Sequence, residues 1–329
     1  LYKGELYASK FEFISPTIII DWSAKTFVEK IKMAFSESHN QKELLDIISA
    51  PEDHDSFVIS PLDKLLRALN KQEMFVHLLN IEIRGGNLTL IENTSQTEWK
   101  SPDARISFNR LQEGFDLSFN LTLSSLNKSA NIEGVTNVSP KGEKLLSISF
   151  QNINLASLSR SVNFPVNFQA LDVPLYGETN MLFINEQLKK VNFDISGGPG
   201  FLFLPSIFST PPKIDGIEIK GFFDFNNKVI EFSDFNIELG DAFLKGGGLI
   251  ELGNEQGPSF NFITDLQNME IRNLLKYWPP KISKGGYKWV DNNISKGFIT
   301  TAKIVIDIRP EDLKVKPLPE KSFRADFQF

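Results

Sequence analysis

Side chains suited to catalysis or metal binding are few in this chain. Its 329 residues include three histidines, His39, His54 and His77, and no cysteine. No two histidines stand at the H-E-x-x-H or H-x-x-x-H spacing, so a zinc site of the metalloprotease type is not predicted. The lack of cysteine excludes disulfides, thiolate nucleophiles and cysteine-ligated metals.

One short segment, Pro51 to Asp55, places three carboxylates around an imidazole. It is either a surface metal site or a solvated loop between two helices. Adjacent residues in a flexible loop rarely pre-organise a coordination sphere. We therefore favour the loop and expect no metal and no cofactor.

Motifs for covalent catalysis and phosphate binding are also missing, since neither G-x-S-x-G nor G-x-x-x-x-G-K-[ST] occurs. The glycine-rich stretches 197–200 and 246–248 do not lie between a parallel strand and a helix, so we interpret them as turns or bends in antiparallel strands. A carbohydrate-active enzyme stays an alternative, because the fold and not the spacing sets its carboxylate pair. We predict that the chain is not an enzyme and has no catalytic residues.

The composition favours apolar surface over polar recognition. Phe occurs 29 times, whereas Trp and Tyr occur 4 and 5 times. Phe supplies large apolar area without a polar group. The net charge of −6 offers no excess of cations for phosphate backbones, so nucleic acid is not expected as a partner.

Apolar and polar residues alternate with a period of two along much of the chain, the pattern of strands with one apolar face. The clearest run is 115–123, where Phe or Leu occupies every odd position. Turns are predicted at Gly85-Gly86-Asn87, Asn226-Asn227, Gly240-Asp241 and Gly253-Asn254. The spacing indicates a long antiparallel meander.

Two features predict that this sheet is strongly curved. The apolar phase shifts from Ile230 and Phe232 to Phe235 and Ile237, so a bulge is predicted near Ser233-Asp234. The glycines at 246–248 would let another strand bend.

Few helices are predicted. Thr26 can cap a first helix through a capping box with Glu29, and Ser60-Pro61 can begin a second. Short helices are expected at 155–161, 271–277 and 283–292. A weak similarity between 79–153 and 178–266 suggests an internal repeat.

The apolar stripes have two interpretations that periodicity alone does not separate. In a β-sandwich, a second sheet covers each apolar face. In an open groove, acyl chains cover it. A strand of about 11 residues rises roughly 35 Å, which is longer than the roughly 15 Å depth of one hydrocarbon leaflet.

Several motifs in the same order along the chain resemble a known family. The first stretch comprises 61–69, 81–92, 97–99 and 102–106. The second comprises 171–177 and 193–198. The last comprises Tyr277-Trp278-Pro279-Pro280, 285–290, Asn293 and 297–299. Together they resemble the AsmA-like proteins of Gram-negative bacteria, in their YhdP-type branch.

The resemblance implies a segment of a longer protein that is anchored in the bacterial inner membrane by a helix outside this segment and extends through the periplasm. It implies phospholipids as ligands, and it leaves outer-membrane or periplasmic proteins as further partners. The expected function is to shield acyl chains during lipid transport towards the outer membrane. The alternative is a periplasmic scaffold that assembles outer-membrane proteins through strand addition.

With this resemblance, the predicted fold is mainly β: a long antiparallel, strongly twisted sheet curled into an open hydrophobic groove (a β-taco), with a few short α-helices. We expect leading strands at 1–25, a helical insert at 26–75, and groove units at 76–177 and 178–329. The predicted groove-lining residues are Phe115, Leu117, Phe119, Leu121, Val191, Phe193, Ile195, Ile217, Ile219, Phe223, Phe225, Phe260, Phe262, Ile304 and Ile306.

Overall fold

A computed structural model describes residues 9–22, 79–92, 97–111, 115–125, 128–138, 143–154, 171–184, 187–203, 208, 210–252, 257–278, 284–315 and 319–328. Strands account for 74% of these residues, and two short α-helices lie among them. The predicted mainly β fold, an open sheet of long and mostly antiparallel strands, is confirmed. The helices predicted after Thr26 and Ser60 and at 155–161, and the turn at Gly253-Asn254, lie outside the described residues.

Internal contacts divide the chain into two compact units. The strands of the first unit are β1 (Lys10–Ile14), β2 (Thr17–Trp22), β3 (Asn80–Glu92), β4 (Thr97–Arg110), β5 (Phe115–Ser125), β6 (Lys128–Val138) and β7 (Glu143–Asn154). Strands β3 to β7 pair in sequence order and antiparallel. At the edge, β1 and β2 both run parallel to β3, each along one half of it. The sheet is therefore mixed.

The second unit contains the remaining strands, except that the ends of β9 and β10 within Met181–Leu188 belong to the first unit; the end of β7 from Asn152 belongs to the second. Its strands are β8 (Leu171–Asp172), β9 (Pro174–Ile184), β10 (Gln187–Gly197), β11 (Gly200–Leu202), β12 (Lys213–Ile214), β13 (Gly216–Asp224), β14 (Val229–Leu239), β15 (Ala242–Glu251), β16 (Ser259–Glu270), β17 (Phe298–Ile308) and β18 (Phe323–Gln328). The large sheet follows the order β9-β10-β13-β14-β15-β16-β17-β18, and β12-β11-β8 form a small second sheet. Two helices, α1 (Ile271–Tyr277) and α2 (Lys284–Asn293), separate β16 from β17, and single 3-10 turns lie at Asp312–Lys314 and Glu320–Ser322.

The local chemistry of the turns explains the hairpins. Between β13 and β14, Asp224 accepts hydrogen bonds from the backbone N–H groups of Asn226 and Asn227 at 2.9 and 3.0 Å, which confirms that turn. These donors lower the pKa of the Asp224 carboxyl group. A turn at Gly240-Asp241 is likewise present.

The turn predicted at Gly85-Gly86-Asn87 is wrong. These residues lie inside β3, where the pairing with β4 shifts register twice. Gly85 has a φ of +61°, which is the left-handed region that glycine adopts without a steric penalty. The glycines therefore form an irregularity within one long strand instead of ending it.

The predicted bulge near Ser233-Asp234 is confirmed. The pairing of β14 with β15 shifts between Phe232 and Phe235. Side chains of a strand alternate between its two faces, so one extra residue reverses the face of all later side chains. The extra residue in β14 therefore places Phe235 and Ile237 on the same face as Phe232, although their positions differ in parity. The two predicted C-terminal helices are also present, as α1 and α2.

A buried hydrophobic cluster of the second unit lies where α1 meets the sheet. Met269, Ile271 and Ile299 are 1%, 3% and 1% exposed, and Leu274, Tyr277 and Val290 from the helices pack against this cluster. Within the described ranges, no helix has the length and apolar character needed to cross a bilayer.

Candidate functional site: an apolar sheet face

Strand register gathers the apolar residues of the second unit on one face. Directly opposed residues of antiparallel strands lie on the same side of a sheet. Four cross-strand rows result, and together they define what we name the apolar face of the second unit: Val191-Phe223-Ile230-Ile250-Phe260-Ile308, Phe193-Gly221-Phe232-Gly248-Phe262-Ile306-Phe323, Ile195-Ile219-Phe235-Gly246-Thr264-Ile304-Ala325 and Gly197-Ile217-Ile237-Leu244-Leu266-Ala302-Phe327. None of these residues is ionisable, and Thr264 is the one polar side chain among them.

Phenylalanine rings alternate with glycines along the second of these rows. The ring centroids of Phe193 and Phe232 are 6.1 Å apart, and those of Phe232 and Phe262 are 5.8 Å apart. A Cβ atom placed on Gly221 would come within 2.9 Å of the Phe193 ring, and one on Gly248 would overlap the Phe262 ring. The rings therefore lie over the opposing glycines, close to the backbone, and form a continuous aromatic row.

Exposure differs along this face. Leu266 and Ala302, in the row beside the helices, are 3% and 1% exposed, whereas Phe193, Phe232 and Phe262 are only partly buried. Partly exposed rings in register across strands give a continuous apolar surface, and such a surface is a feature of binding sites.

The opposite face of the same strands carries the charges. Lys220 on β13 and Asp194 on β10 are paired residues, and their side chains form an ion pair of 2.9 Å. This contact raises the pKa of Lys220. Lys190 lies 3.9 Å from the ring centre of Phe222 on that side. These charged side chains thus lie on the face opposite the four apolar rows, where they share the surface with apolar residues such as Phe222 and Ile263.

The first unit has an apolar face of its own. Its rows include Ile81-Phe108-Leu117-Thr136-Leu146, Ile83-Ile106-Phe119-Gly134-Ile148 and Leu121-Ile132-Phe150. As in the second unit, a phenylalanine ring lies over a glycine on the next strand. The ring of Phe119 covers Gly134, and a Cβ atom added to Gly134 would overlap that ring. Phe108 and Leu146 are 4% and 3% exposed, whereas Phe119 and Ile148 in the next row are only partly buried, so burial varies along this face as well.

The predicted lining residues fall on these two faces. Leu117, Phe119 and Leu121 lie on the face of the first unit, and Phe115 pairs with Arg110 and Val138 at the start of β5. The remaining members lie in the rows of the second unit, except Phe225. That residue follows β13 directly, and its ring centroid is 4.0 Å from that of Phe223. Their role as groove lining stays a prediction.

The centre of the second face was missed from the list of lining residues. Phe232, Phe235 and Ile237 belong to β14, and their alternation changes parity at the bulge. The change of parity at Ser233-Asp234, which predicts the bulge, is also the signal that places both halves of β14 on one face.

A polar contact fixes the corner between β12 and β13. Asp215 accepts a hydrogen bond from the backbone N–H of Gly240 at 2.8 Å and pairs with Lys213. Lys213 is the main cause that lowers the pKa of the Asp215 carboxyl group. Burial, and then the nearby Asp215, raise the pKa of Tyr277 on α1. These groups lie at the strand ends, outside the four apolar rows.

Metal-binding groups are not gathered in the described part of the chain, where no three His, Asp or Glu side chains are close enough to share an ion. The three histidines and the segment Pro51 to Asp55 lie outside the described residues. Comparison of the chain with protein-family models, with curated proteins and with solved structures gives no match in any of the three.

Proposed function

We propose that the chain is a periplasmic segment of an AsmA-like, YhdP-type envelope protein, and that its apolar sheet faces form an open groove that shields phospholipid acyl chains during transport towards the outer membrane. The observation that carries this proposal is the apolar face of the second unit. There, four rows in register offer Phe, Ile, Leu, Val, Ala and Gly, with Thr264 the single polar side chain.

Acyl chains require this kind of surface. Their transfer from water is favourable in proportion to the apolar area covered, at roughly 25 cal/mol per Å², and it needs no directional contacts. The partly exposed rings of Phe193, Phe232 and Phe262 provide such area. The charged opposite face, with ion pairs such as Lys220–Asp194, supplies a hydrated outer surface.

The dimensions also fit. β14 and β16 contain 11 and 12 residues, so each rises roughly 35–40 Å. This exceeds the roughly 15 Å depth of one leaflet, which leaves room for acyl chains on the strands beside the end that the helices cover. In this proposal the protein has no catalytic step, and lipids contact it through area alone.

Two neighbouring residues provide a variant and a matched control for testing whether the apolar face binds lipid. Phe222 and Phe223 are consecutive on β13, but Phe223 lies in an apolar row while Phe222 lies on the opposite face beside Lys190. We expect Phe223→Glu to lose most of the phospholipid that mass spectrometry detects in organic extracts of the purified parent, because it places an unpaired charge among acyl chains. Phe222→Glu, beside a lysine, should retain it.

Circular dichroism confirms that both variants are folded before the lipid content is compared. Equal lipid in the two folded variants would show that the apolar face is not the binding surface. A folded parent without lipid, even after incubation with phospholipid vesicles, would contradict the proposed function.

A further inference from the structure

Polar side chains interrupt the face of the first unit at one end of its strands. At the start of β7 the usual pattern is inverted, because Lys144 is 6% exposed while Leu145 beside it is 43% exposed. Lysine side chains are almost never fully buried unless they are paired, so this position is unusual. The inversion places the lysine on the same side of the sheet as Leu146 and Ile148.

The register brings a second cation into the same cross-strand row. Lys144 pairs with Val138, Val138 with Phe115, and Phe115 with Arg110. We name this row, Arg110-Phe115-Val138-Lys144, the rim row, because it crosses the ends of β4 and β6 and the starts of β5 and β7. Its outer members are three strand spacings, or about 14 Å, apart.

A hydroxyl group next to the rim row adds an independent observation. Thr136, in the adjoining row, is 5% exposed, and its Oγ1 has no hydrogen-bond partner among the described residues. It lies diagonally from Lys144, at about 7–8 Å between backbone positions. A buried hydroxyl without a partner costs free energy that a ligand able to accept or donate a hydrogen bond can recover.

We propose that the rim row binds the phosphate of a glycerophospholipid, whose acyl chains then lie over the apolar rows beside it; this rests on the proposed function. Charge complementarity supports this occupant. Lysine has three N–H donors and arginine five, and both are strong partners for phosphate oxygens. Lys144 and Arg110 already have interactions within the chain, and in this proposal the phosphate shares their donors with those partners.

The order of polar and apolar rows matches the order of groups in such a lipid. The phosphate lies at one end of the molecule, and the two acyl chains follow it. On the sheet, the cations lie at the strand ends, Thr136 lies one row inwards, and Phe119, Ile148 and Phe150 lie further along the strands. Neutral lipids with the same chains lack the group that the rim row would bind.

The test compares two lipids with identical chains, dioleoylphosphatidylglycerol and dioleoylglycerol, offered together to the full 329-residue chain and quantified by mass spectrometry after repurification. Lys144→Met and Arg110→Met should each lower the ratio of bound phospholipid to bound diacylglycerol about tenfold, as expected for one charge-assisted contact. Lys144→Arg should keep the ratio. The control is Lys100→Met, which alters an exposed lysine paired with Glu98 on the opposite side of β4.

The outcomes separate this inference from the function on which it rests. An unchanged ratio in the folded methionine variants, or a parent that does not prefer the phospholipid, would overturn the headgroup site while acyl binding stands. A parent that takes up neither lipid would overturn the proposed function as well. If Lys144→Met does not fold, the result for Arg110→Met decides.

A competition experiment distinguishes a lipid headgroup from free phosphate. Excess inorganic phosphate should displace little phospholipid, since the acyl chains supply most of the affinity. Full displacement would identify a plain phosphate site and overturn the assignment to a lipid.

Discussion

The two ends of the strands β15 to β17 share one register but differ in cover. At the end nearest the helices, Met269 and Ile299 are each 1% exposed beneath α1 and α2. Further along the same strands, Phe262 and Ile306 are partly exposed. The pairing of β16 with β17 keeps one register throughout, although the apolar alternation changes phase between Leu266 and Met269, where Asn268 has a φ of +56°. Apolar residues are thus paired at both ends, and the end that the helices cover is the one that forms a closed core.

The largest expected effect comes from truncating matched isoleucines at the two ends. Ile299→Ala removes a fully enclosed side chain and should lower the free energy of unfolding by about 3–4 kcal/mol. Ile306→Ala, on the same strand β17 but partly exposed, should cost less than half of that, because it removes less buried area. Urea denaturation of both variants measures the difference. Equal losses would mean that the row of Ile306 is enclosed as tightly as the helix-covered end.

A smaller effect is expected where rings lie over glycines. Gly134→Ala should lower the stability by about 1–3 kcal/mol, because the new Cβ atom overlaps the ring of Phe119. In a Phe119→Ala background the same change should be neutral or stabilising, since alanine is less flexible than glycine in the unfolded chain. A double-mutant cycle measured by urea denaturation gives this coupling. Additive effects would show that the ring does not occupy the space above Gly134.

The smallest effect concerns the polar edge of the first unit. Hydrogen bonds from Arg84 and Lys10 lower the pKa of Glu82 from 4.5 to about 2. The ionised carboxylate therefore stabilises the folded chain above pH 4.5, and this contribution is lost as the pH falls from 4.5 through 2. Glu82→Gln should flatten the stability profile in that window, and Arg84→Met should move the loss to higher pH. Thermal denaturation across the window would detect both changes, and identical profiles for all three proteins would contradict the assignment.

Much of the fold follows from residues that are neighbours in the sequence. The alternation at 115–123 and the parity change around Ser233 predict both the strands and the bulge, because side-chain direction in a strand depends on position alone. Gly85 and Gly86 mislead, since the same residues suit a turn and an irregular strand. The paired strand β4, with its two shifts of register, holds them in the strand.

The sequence predicts only part of the candidate site. Apolar phases identify residues such as Phe119 and Phe262, but they do not reveal that each ring covers a glycine on the next strand. Lys144 looks like an ordinary solvated lysine until the pairing of β6 with β7 places it in a row with Phe115 and Arg110. Such groupings depend on register between strands, which local patterns do not encode.

The parallel edge of the first unit has a consequence for the order of folding. Hairpins such as β5–β6 join residues that are close in sequence, whereas Lys10 bonds to Glu82 across 72 positions. Closing so long a loop carries an entropic cost before any contact compensates for it. We therefore expect β1 and β2 to join the sheet last during folding and their amide hydrogens to exchange first. While they are detached, β3 is the edge strand of the sheet.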